Sequence, residues 1–212
     1  MKITLQLLLA LSIIFSASSC KKDKNDDPAP VVEKFDPQTL IWKQGSVTGN
    51  LVGTRSNDST FDYNFDFRGA STGDFWINED SSYSLRLMRF KADVYEDYSN
   101  AIQIELTIPK GIPSTVNGVN WFDVIVSRPL TGTTKVHVFE FEWPKSITGQ
   151  FLATPKSTFN FTNVKLNTVT GKFTADYLID IDATENKSGN PATLQGKIDV
   201  ELVNPVYRKG VN

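Results

Sequence analysis

Phe173-Thr174-Ala175-Asp176-Tyr177-Leu178-Ile179-Asp180-Ile181 places Phe, Ala, Tyr, Ile and Ile at every second position. That two-residue period is the signature of a β-strand with one buried face. The same period recurs outward along the chain. Phe61, Tyr63, Phe65 and Phe67 alternate with Asp62, Asn64, Asp66 and Arg68. Ile102, Ile104, Leu106 and Ile108 repeat it and stop at Pro109-Lys110-Gly111. Phe122, Val124 and Val126 stop before Pro129, and Ile198, Val200 and Leu202 before Pro205. Weaker strands are expected over 46–55, 75–78 and 83–91.

Three segments change parity midway. Val136 and Val138 give way to Phe139, Phe141 and Trp143; Phe159 and Phe161 to Val164 and Leu166; Leu85 and Leu87 to Met88 and Phe90. A strand cannot switch faces without an inserted residue or a change of partner, so each predicts a bulge or bend. Val169-Thr170-Gly171-Lys172 predicts the turn of a C-terminal hairpin. About 11–12 mostly antiparallel strands and no helical periodicity predict an all-β domain, an antiparallel β-sandwich, with a closed β-barrel as the alternative.

The N-terminus follows other rules. Met1-Lys2 is a short basic start, residues 3–15 are mostly apolar, and Ser16-Ala17-Ser18-Ser19 leads into Cys20, the single cysteine. This is the three-part pattern of an export signal, too short in its apolar run to span a bilayer. Ala17-Ser18-Ser19-Cys20 resembles a bacterial lipobox, with Ala17 where Leu is usual. With the charged stretch 21–27 behind it, the segment looks like the lipoproteins of the Bacteroidota. The resemblance implies cleavage before Cys20, acylation of that cysteine, and an outer-membrane address with the domain exposed at the cell surface. The rest of the chain is similar to β-rich lipoprotein domains of unknown function in the same phylum. The expected organisation is a signal peptide over 1–19, a lipidated Cys20 with a flexible tether over 20–34, and one domain over 35–212. The tether carries charge, Pro28 and Pro30, and no apolar period with which to order itself.

Composition excludes several classes. With 22 basic against 24 acidic residues the chain has a net charge of −2, so no basic excess points to nucleic acid. Acylation of Cys20 removes the only thiol, and with it a disulfide framework, a thiolate nucleophile or a cysteine metal site. His137 is the sole histidine, and no Gly-x-Ser-x-Gly elbow accompanies it. Glu140 and Glu142 lie two apart on one strand face, a spacing that carboxylate catalysis tolerates but that any solvated strand face also shows. Asp180-Ile181-Asp182-Ala183-Thr184 begins like a calcium loop but has Glu185 where the sixth-position glycine belongs. No cofactor, metal ligand or catalytic residue is assigned.

The candidate ligand-binding residues are Trp76 and Trp121. Each lies on the parity opposite an apolar row: Phe75 and Ile77 for the first, Phe122, Val124 and Val126 for the second. With those rows facing the core, the indoles face outward, where a flat apolar ring with one donor suits sugar stacking or a protein anchor. Trp143 shares parity with Phe139 and Phe141 and belongs to the core, while Trp42 sits at the domain entry. Asp58-Ser59-Thr60 resembles the acidic-hydroxyl tripeptide that Bacteroidota glycosylate. Three function classes follow. A binding module for polysaccharide or a protein predicts both indoles on one concave surface. An assembly subunit of an outer-membrane complex predicts an apolar patch or an open strand edge. A carboxylate-dependent glycoside hydrolase, the weakest reading, predicts two carboxylates in a deep pocket.

Overall fold

The computed structural model describes residues 45–91, 98–129, 135–145 and 148–202, with the backbone alone for 70–72, 128–129 and 135–137. These residues fall in one compact unit, Asp36–Asn212. Cys20, Trp42, the signal segment and the tether lie outside the described residues.

The unit is all-β. Its strands are β1 (Gly45–Thr54), β2 (Thr60–Ile77), β3 (Tyr83–Lys91), β4 (Ala101–Ile108), β5 (Thr115–Asn117), β6 (Trp121–Pro129), β7 (Lys135–Trp143), β8 (Thr158–Leu166), β9 (Lys172–Ile181) and β10 (Ala192–Glu201). They form one sheet in the order β5-β8-β9-β10-β1-β2-β3-β4-β6-β7. Every pairing is antiparallel. The expected break between 61–68 and 75–78 is absent: both belong to β2, an 18-residue strand. Its first half pairs with β1 and its second with β3, and Phe67 is opposite Val47 on one side and Lys91 on the other. Two register shifts against β3, at Phe67/Gly69 and Ala70/Thr72, mark the bend. Bulges of this kind sharpen local twist and turn a strand from one layer into another.

The sheet therefore curls over its own apolar face, a barrel-like sandwich. The layer β5-β8-β9-β10-β1 with the start of β2 faces the layer formed by the end of β2 with β3-β4-β6-β7. Aromatic rings close the gap. Phe159 of β8 lies 5.6 Å from Phe122 of β6, 6.4 Å from Phe141 of β7 and 5.1 Å from Trp143 of β7. Phe139, midway along β7, lies 5.6 Å from Phe61 of β2. One short strand thus reaches from β8 to β2, across the three strands between them. Phe122, Phe161 and Phe173 are fully buried, and each contributes roughly 1.5–3 kcal/mol by leaving water.

Within the first layer Gly49 lies opposite Gly196. A side chain on either would run into Tyr177, whose hydroxyl is 2.6 Å from a Cβ built on Gly196. The ring fills the space the two glycines leave, and its hydroxyl donates to the Thr48 carbonyl at 2.9 Å. The expected hairpin between β8 and β9 is present. Gly171 takes φ +76° there, and the Asn167 side chain accepts from the Val169 and Thr170 amides.

Two of the three parity changes are bulges. Val126 faces Phe139 while Ser127 faces His137, which leaves Val138 as the extra residue of β7. In β8 the register shifts between Thr162 and Lys165, with Asn163 at φ 52°. The third is different. β3 keeps an unbroken register with β4 from Tyr83 to Phe90. Met88 and Phe90 simply point outward, Phe90 beneath Tyr98 with ring centroids 5.2 Å apart. Arg89, between them, points into the core and is fully buried. Burial pushes its guanidinium down to about 10, still charged at neutral pH, and one of its amino groups donates to the Met88 carbonyl at 2.9 Å.

Phe159→Ala should lower unfolding free energy in urea by about 3–5 kcal/mol, because it removes the ring shared by both layers. Leu178→Ala, on the exposed side of β9, should stay within about 0.5 kcal/mol.

Candidate sugar-binding face

Trp76 and Trp121 lie on the same face. Phe75 pairs with Leu85 and Phe122 with Ile104, all buried, so the residues between these rows point outward. That face is the outer side of the curl, not the concave surface expected of a binding module. Trp76 is 39% exposed, and Trp121 is half-buried. Three strand spacings and one side-chain step separate them, about 15 Å.

The rows between them follow from register. Trp76 lies beside Ser84, which lies beside Thr107. The next row runs Asp74, Arg86, Glu105, Trp121. The third runs Met88, Gln103, Asp123, Glu142. Hydrogen bonds tie these rows together. Arg86 donates to Asp74 at 3.1 Å, Gln103 to Glu105 at 3.1 Å, and Asn120 to the Thr107 hydroxyl at 2.9 Å. Near Trp76 the Asn78 amide bridges the hydroxyls of Ser82 and Ser84 at 2.8 and 2.9 Å.

At Trp121 the chain past β7 turns back, with the Lys145 amide donating to the Glu142 carbonyl. The turn sets the Lys145 ammonium 4.9 Å from the centre of the Trp121 ring. The same ammonium donates to Glu142 Oε1 at 2.6 Å. Asp123, opposite Glu142, holds its proton up to about pH 7. Desolvation is the main cause, followed by the charges of Glu142 and Glu140. No hydrogen bond reaches its carboxyl from the described residues. Trp143 lies inside, edge-on to Phe159, and its indole nitrogen is buried without a partner.

The other candidates are dispersed. Glu140 is bound by Lys187 at 2.5 Å, beside a hollow of about 170 Å³ lined by Arg55, Phe139 and Ser188 among others. A shallower hollow of about 590 Å³ lies over the Gly49–Gly196 pair and is lined by Asn50, Asn64, Gln195 and Lys197. Neither holds the Asp123–Glu142 pair. Asp182 accepts from the Thr184 amide and hydroxyl, a turn-stabilising role that lowers its pKa. Among the described residues no three His, Cys, Asp or Glu side chains gather as metal ligands. The His137 side chain lies outside the described residues. Thr60 is exposed where β2 begins, and the Ser59 hydroxyl donates to Asn57 at 2.6 Å.

Glu105, Asp123 and Lys145 are among the members of this face that sequence reasoning missed. The outward parity of Asp123 was legible beside Phe122 and Val124. Its position against Glu142 depends on the β6–β7 register. Compared with known proteins, the chain matches no family model, no curated protein and no solved structure.

An acid whose folded pKa lies above its unfolded value of about 3.9 binds its proton more tightly when folded. Its stabilisation is full below about pH 4 and is lost as pH rises through about 7. The melting temperature should therefore fall between about pH 4 and about pH 7, and Asp123→Asn should flatten that fall.

Proposed function

We propose that this chain is a surface lipoprotein whose domain binds glycans without transforming them. The observation that carries the reading is the pair of outward indoles on one open face, separated by a floor of hydrogen-bonding groups. An indole stacks on the apolar face of a sugar ring. Ser84, Thr107, Arg86 and Glu105 between them offer the donors and acceptors that hydroxyls need. The spacing suits an oligosaccharide lying across the strands. An apolar protein-docking patch fits less well. The exposed large apolar residues of the described strands and turns are Val52, Trp76, Ile77, Tyr98, Phe151, Val169 and Leu178. They are scattered through the chain, with only Trp76 and Ile77 adjacent.

The address is part of the proposal. Acyl chains on Cys20 would hold the protein at the outer membrane, the tether would space the domain from it, and the glycan face would be open to the medium. The signal pattern before Cys20 supports this. Among the described residues no helix is long and apolar enough to cross a membrane.

A catalytic reading draws on one observation. Asp123 stays protonated near neutrality beside Glu142, which is ion-paired with Lys145, and environments that separate two carboxyls can separate acid from nucleophile. Release of reducing ends from bound oligosaccharides, absent in Asp123→Asn, would move the assignment to a hydrolase.

A screen of soluble oligosaccharides by thermal shift should find a saturable rise in melting temperature. Trp76→Ala and Trp121→Ala should each weaken that ligand about tenfold or more without lowering the melting point of the free protein by a comparable amount. No shift with any glycan would sink the reading. Cys20→Ser should move the protein from the membrane fraction to the soluble one, and retention in the membrane would refute the anchor.

A further inference from the structure

The charge around Trp121 identifies the kind of sugar the face takes. Four groups surround the indole. Glu105 is its register partner on β4. Asp123 is two residues along β6, and Glu142 lies opposite Asp123 on β7. Lys145 lies over the ring itself. The one ammonium is bonded to Glu142, and Arg86, the cross-strand neighbour of Glu105, is bonded to Asp74. Glu105 is left with the neutral Gln103 amide, and Asp123 receives no hydrogen bond from the described residues. The surroundings of Trp121 thus carry more acid than base.

The position of Lys145 shows what this arrangement accepts. Its ammonium is held between the indole face and a carboxylate, gaining both cation–π attraction and a charge-assisted hydrogen bond. A ligand amine placed against Trp121, Asp123 and Glu142 would find the same two partners, and a second carboxyl besides.

Building on the glycan reading, we propose that the ligand is a cationic glycan, one bearing free, protonated amino sugars. Its ammonium binds among Trp121, Asp123 and Glu142, and Lys145 swings off the ring to admit the sugar. A neutral or N-acetylated sugar could stack on the indole, but it would gain no ion pair there. The elevated proton affinity of Asp123 agrees with this. Desolvation and neighbouring acids keep it protonated in the free protein, and an arriving cation would favour its ionised form.

The test compares a β-1,4-linked glucosamine tetramer with its N-acetylated counterpart, titrated calorimetrically into the full chain in detergent at a slightly acidic pH. The glucosamine tetramer should bind about tenfold tighter or more. Asp123→Asn and Glu142→Gln should each erase most of that preference. Lys145→Gln should strengthen the cationic ligand rather than weaken it. Equal binding of the two tetramers, or tighter binding of the N-acetylated one, would overturn this inference and leave the glycan reading standing. A preference for glucosamine that survives both carboxylate variants would also overturn it, because the charge would then be read elsewhere. Binding of neither tetramer, together with failure of every neutral oligosaccharide in the wider screen, would remove the glycan reading itself. Melting curves of each variant separate lost contacts from lost folding.

Discussion

A single strand has to serve two layers, and everything else in the domain depends on how it does so. The outer edges of the sheet, β5 and β7, are each tied to it by one neighbour only, and the bend in β2 turns one half over the other. Phe67 is the last residue of β2 with a partner on both sides. Beyond it the register against β3 shifts twice within a few residues. Without that bend the apolar face of a ten-stranded sheet would lie open to water. With it, Phe159 of one half meets Phe122, Phe141 and Trp143 of the other. Interlayer ring contacts stabilise the curl, and the curl buries the rings. Neither is stable alone, as expected of one cooperative unit.

How much of this could be read from the chain depends on how local each feature is. The alternation in β2, β4, β6, β9 and β10 was plain because each strand buries one face and wets the other. The bulges in β7 and β8 were equally legible, since an inserted residue moves the apolar set onto the other parity. β3 defeated the same logic. Its parity change reflects no insertion but an arginine in the core and a phenylalanine on the outside, covered by Tyr98. A period-2 reading assumes that charge marks the wet side, and Arg89 breaks that assumption. The continuity of β2 was hidden for a related reason. Gly69 to Gly73 carries no apolar alternation, so its strand character comes from pairing with β3 and from nothing local.

The candidate face shows the same division. That Trp76 and Trp121 point outward follows from parity alone. That they share a face needs the order β2-β3-β4-β6, which no local pattern supplies. The side of the curl on which that face lies depends on the bend in β2. The company Trp121 keeps is still less local: Glu105 reaches it through one pairing, Glu142 approaches through another, and Lys145 arrives by a turn beyond the end of β7.

The two outer faces of the sheet differ at one polar group, and that group marks the candidate site. On the β1–β10–β9 side the groups largely satisfy one another. Asn50 donates to both Asp62 and Asn64, Arg68 pairs with Asp66, Lys172 with Asp199, and Asn163 with Asp176. Such exposed pairs contribute little to stability, but they leave few groups waiting for a ligand. On the β3–β4–β6–β7 side most groups are paired as well, with one exception. Asp74 has Arg86 and Glu142 has Lys145, while Asp123 is brought against a second acid and relieves the repulsion by keeping a proton. Selection for folding alone would favour Asn or Thr at that position, since a half-buried carboxyl facing Glu142 costs stability whenever it ionises. A group that burdens the folded state, beside an outward indole, is what the proposed ligand site would account for.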